Sequence, residues 1–136
     1  MDFKILDNSS LDLVEKLKEA SKNYAPYDYI SDSVYTFYII EGDIIIGIIN
    51  YSHVLDEADL LFIFIKDEYK GKGYSKVLLN NSLEYLKEKG IKSIFLEVRS
   101  KNIIARNLYT KIGFIEISTR KNYYNDDDAI IMKYSL

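Results

Sequence analysis

The sequence predicts a mixed α/β (α+β) fold in which a mostly antiparallel sheet is flanked by helices. Three observations carry this. Tyr35 to Ile40 and Ile44 to Tyr51, rich in β-branched and aromatic residues, flank the turn Glu41-Gly42-Asp43 and read as a β-hairpin. Leu79, Leu83 and Leu86 recur at helical spacing between Ser75 and Lys89. Strand-like and helix-like segments follow in the order β-α-loop-β-β-β-α-β-α-β-β, which brings consecutive strands together before helices intervene. At 136 residues the chain suits one domain, 1–136.

Phe3 to Leu6 forms a first short strand. Ser9, with Asp12 three residues later, resembles a capping box for a helix that turns Leu11, Val14 and Leu17 inward. Around Pro26 the pattern breaks, so Tyr24 to Ser33 reads as an aromatic loop or a short irregular helix. After the hairpin, the turn Leu55-Asp56-Glu57 leads to a third meander strand, Ala58 to Ile65. Gly71 and Gly73 open the helix from Ser75 to Lys89, and Gly90 stops it. Ser93 to Val98 is a buried strand and Ile103 to Ile112 a helix ended by Gly113. Phe114 to Ser118 and Ala129 to Tyr134 complete the sheet.

Composition excludes several chemistries. Eighteen basic against 21 acidic residues give a net charge of -3, so no positive field draws the protein to nucleic acid. Without cysteine there is no disulfide, thiolate nucleophile or cysteine metal site, and one histidine makes no metal cage; no metal is expected. The start MDFKILDNSS lacks the charge and apolar run of a signal peptide, and no apolar stretch reaches the ~18 residues of a membrane span. A cytoplasmic location without a membrane partner is the expectation.

The segment from Ile63 to Ser75 joins an apolar strand to a helix through the turn Lys70-Gly71-Lys72-Gly73. A glycine-bearing turn at a helix start offers free backbone amides at the positive end of the helix dipole, which suits a phosphate or pyrophosphate. A glycine pair before a helix also occurs as a tight connection alone. The turn is no dinucleotide fingerprint, because the third glycine is missing, and no Walker A loop, which needs Gly-Lys-Ser/Thr in succession.

The stretch YKGKGYSKVLL resembles motif A of the GNAT acetyltransferases, written Arg/Gln-x-x-Gly-x-Gly/Ala, and reads here Lys70-x-x-Gly73-x-Ser75. Lysine replaces the Arg/Gln of the pattern and lacks the planar guanidinium fork; serine replaces the small last residue. LEVRSKNIIARNLYTKIGF resembles the strand, asparagine loop and helix that follow in this superfamily. VLDEADLLFIFIKDEY and RKNYYNDDDAIIMKYSL resemble segments of one branch, the bacterial ribosomal-protein-alanine N-acetyltransferases (RimI-like). The resemblance runs from about Val54 to Met132. It fades over the first fifty residues, where the Phe-Pro-Trp element of that branch is missing around Pro26.

The resemblance implies a GNAT fold with a splayed central strand pair and an enzyme that uses acetyl-CoA as co-substrate. It implies that backbone amides of Gly71, Lys72, Gly73, Tyr74, Ser75 and Lys76 hold the pyrophosphate. It further implies that amides of Ile63, Phe64 and Ile65 bond the pantetheine arm in a slot opened by a bulge, and that Asn102 contacts the cofactor; an asparagine there is equally expected as a helix cap. Glu97, a carboxylate within the apolar run Ile94 to Val98, takes the place of the general base; an ion pair with Arg99 or an outward strand position is the plain alternative. Tyr109 takes the place of the acid that protonates the departing thiolate, although thirteen tyrosines make core packing the ordinary role of any one.

The remaining features read as follows. His53 is expected at the surface, and Asp126-Asp127-Asp128 as a solvated turn or an attractor of cations. Tyr24, Tyr27, Tyr29, Tyr123 and Tyr124 either line the acceptor groove or bury apolar area. The acceptor implied by the branch is the N-terminal α-amine of a protein such as a ribosomal protein. A lysine side chain, a small amine, an aminoacyl-tRNA, or a non-catalytic acyl-CoA-binding module are the alternatives. The sequence leaves the oligomeric state open.

Overall fold

The computed structural model describes residues 1–6, 11–21 and 32–136. In chain order the elements are β1 (Asp2–Ile5), α1 (Leu11–Ala20), β2 (Val34–Glu41), β3 (Ile44–Val54), β4 (Glu57–Ile65), a 3-10 turn (Asp67–Tyr69), α2 (Tyr74–Glu88), β5 (Ser93–Arg99), α3 (Ile103–Ile112), β6 (Ile115–Tyr124) and β7 (Asp127–Ser135). The strands form one seven-stranded sheet in the order β1-β2-β3-β4-β5-β7-β6. Every neighbouring pair is antiparallel except β4 and β5, which run parallel.

The sheet is covered on both faces, and the strand sequences show why. In β5, Ile94, Leu96 and Val98 point into one core with Leu79, Leu83 and Leu86 of α2 and Tyr109 of α3. Phe95, Glu97 and Arg99 alternate to the opposite face, as a period of two requires. That face carries a second core, in which Val14 and Leu17 of α1 pack on Ile48 and Phe62. Leu78, Leu79 and Leu86 are fully buried. Each stabilises the fold by roughly 1.5–3 kcal/mol, and truncating Leu79 to Ala would cost about 2–5 kcal/mol.

Two features set the spacing of the site. Gly47 on β3 carries no side chain because a Cβ there would meet Ile65 Cδ1 at 2.7 Å, the Phe64 carbonyl oxygen at 3.0 Å and Leu78 Cδ1 at 3.1 Å. That absence lets α2 lie close on β3 and β4. The Tyr51 hydroxyl, fully buried, meets Ser82 Oγ at 2.7 Å, and Ser82 in turn bonds the Leu79 carbonyl at 3.2 Å, fastening α2 to β3.

Most expected elements are present with shifted ends. The first strand lies one residue earlier than expected, and the hairpin strand that was to end at Tyr51 continues to Val54. The largest difference is at the end of the chain. There the strand expected to stop at Ser118 runs on to Tyr124, and its partner starts at Asp127. All but the last residue of β6 are exposed, so no buried face imposes the alternation by which a strand is recognised. Ser9 and most of the segment around Pro26 lie outside the described residues.

Candidate active site

The site begins where β4 and β5 part. They pair over only Glu57↔Ser93, Ala58↔Ile94 and Asp59↔Phe95. On the other side of β4 the register with β3 slips, from Tyr51↔Leu60 to Asn50↔Phe62, which leaves Leu61 as an extra residue. A bulge bends its strand and strengthens its twist. Here it turns β4 away while β5 stays paired with β7 along its whole length. Along Ile63 to Ile65, β4 consequently pairs with β3 and, among the described residues, no longer with β5. The opened edge offers main-chain groups to a ligand that lies like an added strand.

At the far end of that edge comes the turn expected to face a phosphate. Gly71 and Gly73 have φ of 75° and 87°, the left-handed region that only glycine enters without strain. Gly73 is the N-cap of α2 and supplies no side-chain cap. The turn amides of Gly71 to Gly73 have no backbone acceptor among the described residues, and those of Tyr74 to Lys76 open a helix where no intrahelical partner exists. A Cβ at either glycine would meet nothing within 4 Å. Open space, free donors and a helix N-terminus together fit a pyrophosphate. The flanking cations are partly engaged: Lys70 Nζ lies 2.9 Å from Asp67, and Lys72 Nζ lies 5.6 Å from the centre of the Tyr69 ring.

Glu97 and Tyr109 occupy opposite faces of the sheet. Tyr109 is 6% exposed, packs edge-on to Phe114 with ring centres 5.7 Å apart, and belongs to the core beneath α2 and α3. Burial pushes its phenol up to about 12. Burial also raises the Tyr51 phenol, and the charge of Tyr109 adds to the rise, so the two hydroxyl groups share one dry region. Glu97 instead faces a cavity of about 640 Å³ on the α1 face, floored by Asp59, Leu61, Phe95 and Ile131 and walled by Arg120, Tyr123 and Tyr124.

The cavity wall shows what sequence reasoning missed. Glu97 is ion-paired, with Arg120 at 3.2 Å and not with Arg99. Arg99 bonds Asp126 at 2.8 Å and lies 4.0 Å from the centre of the Tyr124 ring. Arg120 lies 5.3 Å from the Tyr123 ring, and the rings of Tyr123 and Tyr124 meet edge-on at 5.2 Å. Tyr123 and Tyr124 therefore line this cavity. Arg120 and Asp59 gave no sequence signal, since Arg120 fell beyond the expected end of its strand and Asp59 reads as an ordinary outward position of another.

Three further expectations resolve as follows. Asn102 caps α3, its Oδ1 accepting from the Ala105 N–H at 3.2 Å. The aspartate run is divided: Asp126 is exposed in the turn, as expected, whereas Asp127 is 8% exposed and accepts from the Ser100 hydroxyl, the Lys101 N–H at 2.9 Å and the Asp128 N–H at 2.7 Å. The Ser100 hydrogen bond and these amides hold its carboxyl below the usual carboxylate range. His53 is half-buried and stacks on Tyr35 at 4.6 Å, because β3 runs past it. Tyr24, Tyr27 and Tyr29 lie outside the described residues.

A parallel pair forced apart by a bulge, with a donor-rich turn at its end, is the architecture of an acyl-CoA-dependent transferase. Residues 6–114 match the model of the acetyltransferase (GNAT) family, and the chain belongs to that family; it is an acetyl-CoA-dependent N-acetyltransferase. It is 50% identical over 99 residues to the [ribosomal protein bS18]-alanine N-acetyltransferase of Haemophilus influenzae, a stretch covering 69% of this chain and 67% of that protein. The crystal structure of the ribosomal-protein-S18-alanine N-acetyltransferase from Escherichia coli is similar with a TM-score of 0.83 and 27% identity, over 98% of this chain and 94% of that one. A chain of the NatC complex bound to Gag peptide and CoA shares the fold at a TM-score of 0.80 and 22% identity, over 99% of this chain and 98% of that one. Among the described residues no helix is long and apolar enough to cross a membrane, and no group of side chains is placed to hold a metal ion.

Proposed function

We propose that this chain, acting as one catalytic domain over residues 1–136, acetylates the N-terminal α-amine of a protein, a ribosomal protein being the acceptor favoured by its relatives. The observation that carries the reading is the fork itself. The Glu97 cavity lies on one face of the sheet beside it and the core that holds Tyr109 on the other, and the edge of β4 leads on to the turn at Gly71 to Lys76. Such an acceptor places the reaction in the cytoplasm.

In this reading the amides of Gly71, Lys72, Gly73, Tyr74, Ser75 and Lys76 hold the pyrophosphate of acetyl-CoA. The edge at Ile63, Phe64 and Ile65 bonds the pantetheine arm, and the Asn102 carboxamide keeps its N–H groups for the cofactor while its oxygen caps α3. Glu97 takes the proton from the acceptor ammonium, through water. The freed nitrogen attacks the thioester carbonyl carbon, the C–S bond breaks, and Tyr109 donates its hydroxyl hydrogen to the departing sulfur; the second proton lost by the nitrogen returns to the phenolate through water, and Glu97 releases its proton to solvent. Burial raises the phenol, and it raises a thiol in the same dry slot, so donor and acceptor stay closer in proton affinity than the phenol's value alone suggests. The acceptor follows from magnitudes. Freeing an α-amine of pKa about 7.9 at pH 7 costs about 1.2 kcal/mol, against about 4.6 kcal/mol for a lysine at about 10.4, and one ordinary carboxylate suffices for the first.

The experiment is incubation with acetyl-CoA and a panel of N-terminal peptides, N-terminally blocked lysine peptides and polyamines, with the acetylated atom located by mass spectrometry. Acetylation at the α-amine is expected. Modification confined to lysine side chains or polyamines would overturn the acceptor assignment.

A further inference from the structure

Two carboxylates line the acceptor cavity, and only one of them is neutralised. Glu97 is matched by Arg120 at 3.2 Å. Asp59 makes no ion pair with any described residue. Asp59 also sits at a telling place, on the last paired rung before β4 and β5 diverge, opposite Phe95 and on the same face of the sheet as Glu97. Arg99, the remaining cation on that face of β5, is committed to Asp126 and the Tyr124 ring. Lys133 of β7, paired with Phe95, lies 5.7 Å from the centre of that ring and makes no ion pair with Asp59 among the described residues, so Asp59 is a cavity carboxylate without a directly paired cation, beside the point where the acceptor nitrogen must arrive.

We infer that Asp59 determines acceptor specificity by binding a second, permanent positive charge of the acceptor peptide, next to the reacting α-amine. The inference rests on the assignment of Glu97 as the base. A carboxylate that held the reacting ammonium itself would favour its protonated form and work against the transfer, whereas one that holds a neighbouring cation binds ground and transition states alike. Arg120 serves the same division, since a Glu97 matched by a guanidinium does not compete for the acceptor's fixed charge. The acceptor class is therefore a peptide with a free N-terminus followed closely by lysine or arginine. A lysine peptide ending in the same free amine but with glutamine in that place fills the same space without the charge.

The test is calorimetric binding of two peptides, Ala-Lys and Ala-Gln at the N-terminus and otherwise identical, to the protein saturated with CoA, which permits binding without turnover. The lysine peptide should bind roughly fivefold more tightly, the range of one partly exposed ion pair. In Asp59→Asn the ratio between the two should fall to one, and in Asp59→Lys an Ala-Glu peptide should become the preferred ligand. Equal binding of the two peptides to the unaltered protein, or a preference that survives Asp59→Asn, would overturn the proposal. So would putrescine competing as well as the lysine peptide, since it brings the second charge without a peptide. Glu97→Gln separates the readings: full turnover there removes the base assignment, while the binding ratio still reports on Asp59.

Discussion

The two sides of the β4–β5 fork are made of different materials. The side proposed for the cofactor is backbone: the stretch of β4 from Ile63 to Ile65 that has parted from β5, and the turn amides of Gly71 to Lys76, which meet no backbone acceptor among the described residues. The side proposed for the acceptor is side chain: Glu97, Arg120, Asp59 and the two tyrosines of the β6–β7 hairpin. Backbone donors are indifferent to most substitutions so long as the turn keeps its shape, whereas a wall of side chains changes its ligand with each residue. A fold built this way keeps one co-substrate and varies the other.

The sharpest break in that comparison is Glu97→Gln, which keeps size and removes the base. Turnover should fall by about 10² to 10⁴ and recover in part toward pH 9.5, where the amine arrives already neutral. A rate profile from pH 6 to 9.5 decides it, and unchanged turnover would show that positioning and backbone donors suffice. Tyr109→Phe should lower turnover about 10²-fold across the same range, with no recovery. The same variant has a signature in stability. The folded phenol titrates near 12, above its ordinary value of 10.0, so burial of the neutral phenol stabilises the protein below pH 10 and this contribution is lost as pH rises toward 12. Two units correspond to roughly 3 kcal/mol, and Tyr109→Phe should flatten the alkaline loss of stability while Tyr51 keeps part of it.

On the backbone side the effect is smaller. Gly73→Val should raise the acetyl-CoA dissociation constant about tenfold, or about 1.4 kcal/mol. The added Cβ has open space, so the loss comes from driving a β-branched residue away from a φ of 87° and so re-aiming the amides. Calorimetry on a variant that melts normally checks it; unchanged affinity would remove the turn from the cofactor site.

What was legible in the sequence follows the same division. The turn announced itself by glycines, and α3 was readable to the residue, Ile103–Ile112, because one buried face and a closing Gly113 bound it. The bulge was implied by the family resemblance, but its place at Leu61 was not legible in the residues: Leu60-Leu61-Phe62 is a continuous apolar run, and a skipped residue breaks no alternation where none exists. Arg120 was lost with the outer half of β6, whose exposed Ser118 to Asn122 carry nothing toward a core. The Glu97–Arg120 pair joins residues of strands separated by β7, and such a meeting depends on sheet order, which residue spacing does not encode.

The smallest expected effect concerns the hairpin that holds the wall in place. Asp127 was expected to face solvent, yet it gathers donors from Ser100, Lys101 and Asp128 and so ties the loop before α3 to the start of β7. If its role is to hold the wall rather than to attract the acceptor, its loss should appear in stability and in a particular pH window. Its folded carboxyl titrates below the ordinary 3.8, so the carboxylate's contribution is present above that value and is lost as pH falls through the depressed one. Asp127→Asn, which keeps size but offers one oxygen where two accept, should melt a few degrees below the unaltered protein at pH 7. The gap should narrow as the pH is taken below about 4, where the unfolded carboxyl takes up its proton while the folded one still holds its charge. Thermal melts of both proteins from pH 3 to 7 measure this, and the binding ratio of the lysine and glutamine peptides at pH 7 supplies the contrast. A gap of constant size down to pH 3 would show that the carboxylate charge contributes nothing to the hairpin. A changed peptide ratio with an unchanged melting point would instead make Asp127 part of the acceptor surface, and the division between the two aspartates, Asp59 reading the ligand and Asp127 holding the wall, would have to be redrawn.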